Sequence, residues 1–330
     1  MKAVLILGGA GFVGLNIAQA LLARARAVVI LDRAPLLPQA RAAFDALPGR
    51  FEAVVGDVTD EAAIRAVMRQ GVDAVVLGAA ITAGLAREAA EPEAILRVNL
   101  VSHVPVLAQA RDAGVRRIVN LSSAAAYGAA ALREAVLTET VAADPESLYA
   151  LTKFASERAT ARLAALWGLD VVSVRLSAVF GPWEHPTGVR DTLSPHAQIA
   201  ALARKGQPAI LARPGRRDWV YALDVAEAVL RVIDAPRLAH GLYNLSAPEP
   251  WPVLDWGRRL ALQHPGFVCR LADAGEASTV DLQAAADRAP LDVGRLSADL
   301  GWTARFGLVD SGDHFMAWSR RHGSAAAEGA

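Results

Sequence analysis

The chain has 330 residues, 53% of them hydrophobic, with 34 basic and 34 acidic side chains and a formal net charge of zero. That length supports a large core, as one α/β unit or as a large domain with a smaller partner, and the scattered arginines form no basic stripe of the kind a phosphate backbone requires, which argues against nucleic acid as a partner. A single cysteine, Cys269, excludes an internal disulfide and a thiolate metal cluster; with no leader before the first strand and no apolar run of membrane length, a cytoplasmic chain free of membrane and metal is expected.

Short apolar runs alternate with helix-period segments. Strands are expected over Ala3–Leu7, Ala27–Leu31, Glu52–Val55, Ala74–Leu77, Arg117–Leu121 and Val171–Leu176, and helices over Phe12–Leu22, Asp60–Gln70, Pro92–Ala113 and Ser147–Trp167. This alternation implies right-handed βαβ units, hence an α/β fold with a doubly wound parallel sheet covered on both faces. After about Leu176 proline and glycine become denser, and all seven tryptophans lie at Trp167 or later, so bulky pocket walls belong to the second half. The expected organisation is a nucleotide domain over 1–176 and a mostly substrate-binding, smaller C-terminal α/β region over 177–322, with some elements returning to the first domain. A disordered tail is expected over 323–330, which lacks periodicity and large apolar side chains. There is no internal repeat.

Directly after the first strand comes Gly8-Gly9-Ala10-Gly11-Phe12-Val13-Gly14, readable as Gly-x-x-Gly-x-x-Gly from Gly8 or Gly-x-Gly-x-x-Gly from Gly9. Both describe a dinucleotide turn, with Gly8, Gly11, Phe12, Val13 and Gly14 presenting backbone N–H groups and a helix N-terminus to a pyrophosphate. Asp32 closes the second strand 21 residues beyond Gly11, the spacing of the acid that binds the adenosine ribose. Its charge would repel a 2′-phosphate and so favours NAD over NADP, although Arg33 beside it is able to swing onto such a phosphate or stack on adenine.

Tyr149 and Lys153 stand one helical turn apart in a chain with four tyrosines, where the only lysines are Lys2, Lys153 and Lys205; chance gives about 0.04 such pairs. A free phenol is a poor base at neutrality, and a compact ammonium four residues on lies on the same helix face, where it favours the phenolate. Arginine would serve most surface roles equally well but not this one.

With these residues assembled, the chain resembles the extended short-chain dehydrogenase/reductases of the NAD-dependent epimerase/dehydratase family over about residues 1–320. Gly56-Asp57-Val58 resembles the family's turn after the third strand, Gly78-Ala79-Ala80 the fourth-strand end beneath pyrophosphate and ribose, and Val98-Asn99-Leu100 the helix asparagine. Leu121-Ser122-Ser123 through Tyr127-Gly128 resembles the fifth-strand end, Arg175 through Pro182 the turn around the nicotinamide, and Arg217 through Tyr221 with Asp224-Val225-Ala226 the late motif that opens a helix. The resemblance implies a Rossmann fold, an NAD cofactor and a homodimer through the Pro92–Ala113 and Ser147–Trp167 helices. It implies Tyr149 as general acid/base, Lys153 as its electrostatic partner holding the nicotinamide ribose, and Ser123 on the substrate oxygen with Ser122 as substitute. Asn99 has a supporting role, Asp57 and Val58 lie at the adenine, and Leu121 is at the cofactor. For Asp57 the alternative read from the residues alone is a cap for the next helix, Asp224 is more often a cap than a ligand, and Arg217 either binds ligand or pairs with Asp218.

The implied activity is reversible hydride transfer between nicotinamide C4 and a secondary carbinol of a sugar, sugar acid or similar polyol. A nucleotide-sugar 4-epimerase with tightly bound NAD is the first alternative, and a dinucleotide-sensing regulator, a class that usually lacks the Tyr/Lys pair, the second. Ala124 and Ala125 stand where the dehydratase branch needs two acids, and Cys269 is far from the position of the cysteine base in the reducing 3,5-epimerase branch. Ala178 replaces an asparagine common in nucleotide-sugar epimerases, whereas Arg217 matches their diphosphate arginine; the balance favours a smaller polyhydroxylated substrate. The insertion Trp183–Asp191 is expected to overhang the pocket, with Trp183 as an aromatic wall and Arg190 either clamping an anionic substrate group or pairing with Asp191.

Overall fold

In the computed structural model, which describes residues 2–68 and 71–322, the six apolar runs form parallel strands: β1 (Ala3–Leu7), β2 (Ala27–Asp32), β3 (Arg50–Val55), β4 (Val72–Leu77), β5 (Arg117–Ser123) and β6 (Val171–Leu176). The segment 323–330, for which a disordered tail is expected, lies outside the described residues. A seventh strand, Leu242–Leu245, adds to β6, giving the order β3-β2-β1-β4-β5-β6 and then Leu242–Leu245. Helices cover both faces, so β1 and β4 carry almost unbroken apolar runs. The strand order reverses between β1 and β4, and at such a switch point a crevice opens beyond the carboxyl ends of the strands.

Two helices depart from expectation. Pro92–Ala113 is divided into Pro92–Leu96, a π turn over Arg97–Val101 and His103–Asp112. The cause is Asn99, whose side chain is tied to the backbone of Ile81 and to Thr152; the wider π turn accommodates those bonds. The helix expected over Asp60–Gln70 runs Glu61–Val67, capped by the Asp60 carboxylate accepting from the Ala62 N–H; Gln70 lies outside the described residues. Pro38–Asp45 and Leu85–Ala90 are additional short helices.

Beyond β6 the chain builds a second core. Helices Pro195–Arg204, Val253–Ala261 and Leu308–His322 gather around the short parallel pair Ala209–Leu211 and Cys269–Leu271, and enclose Phe180, His196, Trp219, Trp251, Trp256 and Phe315. The helix Ala222–Asp234 returns to pack on Phe12–Leu22. Asp224 in its first turn is buried and accepts from the Arg305 and Phe306 N–H groups, so it ties down the chain before the last helix and is not a ligand.

Candidate active site

The crevice at the switch point is a cleft of about 1210 Å³. On its floor, the turn from β1 to Phe12–Leu22 is a cradle from which side chains are excluded. Gly8 has φ +77°, and a Cβ there would meet the Ala79 backbone at 2.6 Å; a Cβ on Gly14 would meet the Gly8 carbonyl at 2.5 Å. The following helix starts at Gly11 with no side-chain cap and no acid in its first turn, leaving N–H groups free for an anion. Asp32 lines the same end and accepts from the Ala10 and Ala34 N–H groups, both at 3.0 Å, which fixes its carboxylate toward the cleft. Arg33, Asp57, Val58, Gly78, Ala79, Ala80 and Leu121 line the cleft as well. Asp57 does not cap the next helix, a task Asp60 performs; it closes its own turn through Thr59 N–H and Oγ1, both at 2.8 Å. Changing Asp32 to serine is expected to narrow the NAD-to-NADP preference, as the ratio of dissociation constants, by roughly tenfold or more, since about 1.4 kcal/mol of lost charge-assisted bonding or relieved repulsion suffices. An unchanged ratio would remove Asp32 from the adenosine site.

Tyr149 and Lys153 occupy the first two turns of Leu148–Trp167, which begins where Ser147 Oγ accepts from the Ala150 N–H at 3.1 Å. Lys153 is buried, its Nζ 5.8 Å from the Tyr149 ring centre. One ammonium hydrogen is donated to the Leu121 carbonyl at 2.8 Å, and no carboxylate pairs with it among the described residues. A buried ammonium with one neutral partner is undersatisfied, and the cleft is where further acceptors have room. The charge also reaches His103, which burial and then Lys153 push down to about 3, so that imidazole is neutral at pH 7. Asn99 is fully buried and outside the cleft lining. Its Oδ1 accepts from Ile81 N at 2.8 Å while Nδ2 donates to Ile81 O at 3.0 Å and Thr152 Oγ1 at 3.2 Å, locking the helix that carries Tyr149 to the loop after β4.

The two serines at the end of β5 separate by geometry. Ser122 donates its hydroxyl to Glu157, which is locked in a buried ion pair with Arg175, Oε2 to Nη2 at 2.6 Å and Oε1 to Nε at 2.9 Å. Ser123 Oγ accepts from Ala125 N at 3.1 Å and keeps its proton for the cleft. Glu157 lies four residues past Lys153 on the same helix face, a spacing that was present in the sequence.

Arg217 and Asp218 do not pair. Asp218 is buried and held by Arg288 at 2.8 Å, by the hydroxyls of Ser177 and Ser246 at 2.9 and 2.6 Å, and by Leu291 N at 2.9 Å. Arg217 is left facing the cleft over the Trp219 ring, with no carboxylate partner among the described residues. Burial, then the charges of Arg288 and Arg213, push it down to about 10. Arg288 lines the cleft too and carries no sequence signal in an arginine-rich chain.

The segment from Trp183 departs from expectation. Trp183 has φ +65°, which turns the indole away from the cleft; it is buried, donates to Gln19 Oε1 at 2.6 Å and packs edge-on against Trp318. It is a core side chain and not a pocket wall. Residues 185–192 do cross the cleft, and Arg190 pairs not with Asp191 but with the buried Glu184 at 3.1 Å. Cys269 is buried in the second core, outside the cleft, its thiol pushed up by burial to about 11. Ala124, Ala125 and Ala178 line the cleft, bringing no acid or amide to it.

The site therefore fits a nicotinamide dinucleotide in three ways: a backbone cradle that a Cβ would fill, a fixed carboxylate at the end of β2, and a buried ammonium beside a phenol and a free serine hydroxyl. A family model described as the NAD dependent epimerase/dehydratase family matches residues 4–246. UDP-glucuronate 4-epimerase 3 of Arabidopsis thaliana is 30% identical over 76% of this chain, and the chain spans only 62% of that relative's length and 63% of the length of UDP-glucuronate 4-epimerase 4 from the same plant. Among solved structures, a UDP-glucose-4-epimerase from Stenotrophomonas maltophila with bound NAD superposes with a TM-score of 0.81 at 24% identity, covering 99% of this chain and 100% of that one. MoeE5 in complex with UDP-glucuronic acid and NAD gives 0.75 at 25% identity, covering 97% and 99%.

Proposed function

Because this chain belongs to the NAD dependent epimerase/dehydratase family of extended short-chain dehydrogenase-type enzymes, we propose that its cleft oxidises and then re-reduces a secondary carbinol of a nucleotide-linked sugar, acting as a 4-epimerase that retains its NAD. The observation that carries this reading is Arg217, a largely buried cation that faces the cleft without a protein carboxylate. Such a charge is costly unless a ligand supplies the anion, and the diphosphate of a sugar nucleotide supplies it, Arg288 beside it being already paired with Asp218. This moves the preference from the small polyol expected from Ala178 toward a nucleotide sugar, the class named for the relatives above.

NAD, when bound, supplies the hydride acceptor and, once reduced, the donor. Tyr149 takes the carbinol proton as the hydride leaves and returns it when the opposite face is reduced. Lys153 stabilises the phenolate and holds the ribose hydroxyls; Ser123 donates to the carbinol oxygen as it becomes a carbonyl. Ala124 and Ala125 provide no acid for dehydration, so the keto sugar is preserved for reduction.

Several features support the wider assembly. Residues 1–176 with the returning elements hold the cofactor and 177–322 mostly the sugar nucleotide. Leu96, Val101, Val104, Leu151 and Leu166 are exposed on the two helical segments expected to pair, an apolar surface that a homodimer through these helices would cover. Among the described residues no helix is long and apolar enough to cross a membrane, and we place the enzyme in the cytoplasm.

Arg217→Leu is expected to raise KM for nucleotide sugars by roughly 10- to 100-fold, the worth of one or two charge-assisted hydrogen bonds, with kcat and thermal stability little changed because no carboxylate loses its partner. Steady-state kinetics on UDP-linked and free sugars check it; a KM that stays within twofold removes the diphosphate from this site.

A further inference from the structure

We propose that Gln283 is a positioning residue that latches the segment crossing the cleft, so that the reduced cofactor and the oxidised sugar stay confined between the two hydride transfers; this rests on the epimerase reading above. An epimerase has a need that a dehydrogenase lacks. After the first transfer the cleft holds NADH and a keto sugar, and the escape of either ends the turnover with no epimer.

The crossing segment is a loop closed at its base. Glu184 at one end accepts from the Ser194 N–H and hydroxyl at the other, each at 2.6 Å, and Ser194 in turn caps the helix Pro195–Arg204 by accepting from Ala197 N at 3.2 Å. Ends held this close make a compact loop whose far part moves as a unit. One flank of that far part is fastened to the nucleotide domain. Thr82 N donates to Val189 O at 2.8 Å, Asp191 N to Thr82 O at 3.3 Å and Gly84 N to the Asp191 carboxylate at 2.8 Å, while Asp191 pairs with Arg87 Nε at 2.7 Å. Thr82 and Gly84 follow residues 78–80, which abut the glycine cradle at Gly8 and Ala79, so this flank is tied to the floor of the cleft.

The other flank is fastened by two glutamines. Gln283 Nε2 donates to Thr192 O at 3.2 Å and to Leu193 O at 3.0 Å. Gln198, on the helix Pro195–Arg204, donates to Leu193 O at 2.8 Å and Asp281 O at 3.0 Å and accepts from Asp281 N at 2.8 Å. Asp281, Gln283 and Ala284 line the cleft, as does Thr192, so these bonds join two of its walls. Gln283 bears backbone strain in doing so. Its φ is +63°, a left-handed conformation that among the described residues other than glycine only Ala25 and Trp183 share, and its N–H is held by Asp281 Oδ1 at 2.7 Å. Such a conformation persists where the surroundings over-determine it, and glycine would adopt it freely; what glycine lacks is the amide. Two exposed neutral hydrogen bonds from one side chain stand against an ion pair and three hydrogen bonds on the opposite flank, so the cleft opens for exchange at Gln283.

The experiment uses the full chain and its Gln283→Gly and Gln283→Glu variants; glutamate keeps the size but turns carboxylate oxygens toward carbonyls that need a donor. The chain is loaded with NADH and chased with excess NAD, and the loss of bound NADH fluorescence gives the release rate. In parallel, turnover of UDP-linked sugars is followed by product stereochemistry and by absorbance at 340 nm, each abortive turnover releasing one NADH and one keto sugar while NAD from solution refills the site. Both variants are expected to release NADH about tenfold faster than the wild type, the worth of one or two lost hydrogen bonds, and to divert a correspondingly larger share of turnovers into free NADH. Gln283→Gly should keep or raise Tm, because a φ of +63° suits glycine. Release within twofold of wild type in either variant, or a glycine variant whose Tm falls, would overturn the latch, the second by making Gln283 a structural residue. Faster NADH release with no epimer from any UDP-linked sugar would uphold the latch and overturn the epimerase reading; an epimer formed with release unchanged would do the reverse.

Discussion

Tyr149→Phe is expected to lower kcat by about 10³-fold or more while the NAD dissociation constant moves less than threefold. The magnitude follows from what is removed: a positioned acid/base contributes roughly 10²- to 10⁴-fold, and Tyr149 is the phenol that stands beside the buried Lys153 ammonium. Ser123 has a proton to donate but is no base, His103 is neutral and buried behind the helix, and Lys153 keeps one hydrogen on the Leu121 carbonyl. The phenol is half-buried at the N-terminal turn and its hydroxyl makes no hydrogen bond within the protein among the described residues, so losing the oxygen leaves the fold intact. Paired kcat measurements and cofactor titrations decide it; a variant within tenfold of wild type would remove Tyr149 from the chemistry.

The second large effect concerns stability. Glu157→Ala leaves Arg175 buried without its carboxylate and Ser122 without its acceptor, and removing one partner of such a pair costs about 3–5 kcal/mol. For a chain of this size that corresponds to a fall in Tm of roughly 4–7 °C. The loss also reaches the site, because the pair ties Leu148–Trp167 to β5 and β6, and Arg175 stacks over the buried Tyr127 ring at 4.3 Å. Calorimetry on Glu157→Ala and on the apolar double variant Glu157→Leu/Arg175→Met separates charge from packing. The single change should be the less stable of the two. A Glu157→Ala Tm within 2 °C of wild type would show that the pair contributes nothing.

What was legible in the sequence was local. The glycine turn, the strands around it and the Tyr149–Lys153 spacing are dictated by neighbours within a few residues, by apolar runs, by the need for an approachable backbone and by 3.6-residue periodicity. What was not legible depends on distant partners. The π turn at Asn99 exists because Ile81 and Thr152 hold its amide. Whether Arg217 faces ligand was undecidable from Arg217-Asp218 alone, since Arg288, far along the chain, claims the aspartate. Trp183 sits in the core with a positive φ unusual for tryptophan, a backbone conformation that no neighbouring residue announces. The strand Leu242–Leu245 is four residues long and pairs only with β6; Asn244 within it is held on its other side by Glu139 and the Leu137 carbonyl. Such an edge leaves little periodicity to read.

The central claim is that one carbinol is oxidised and re-reduced at Tyr149 with no net change in the cofactor. It is tested most directly by incubating the full chain with NAD and a panel of UDP- and dTDP-linked sugars deuterated at C4, following absorbance at 340 nm and the product by NMR in the same sample. The account predicts a C4 epimer that retains its deuterium, with no steady rise in absorbance. A steady rise without the epimer, or loss of the deuterium to solvent, would contradict it.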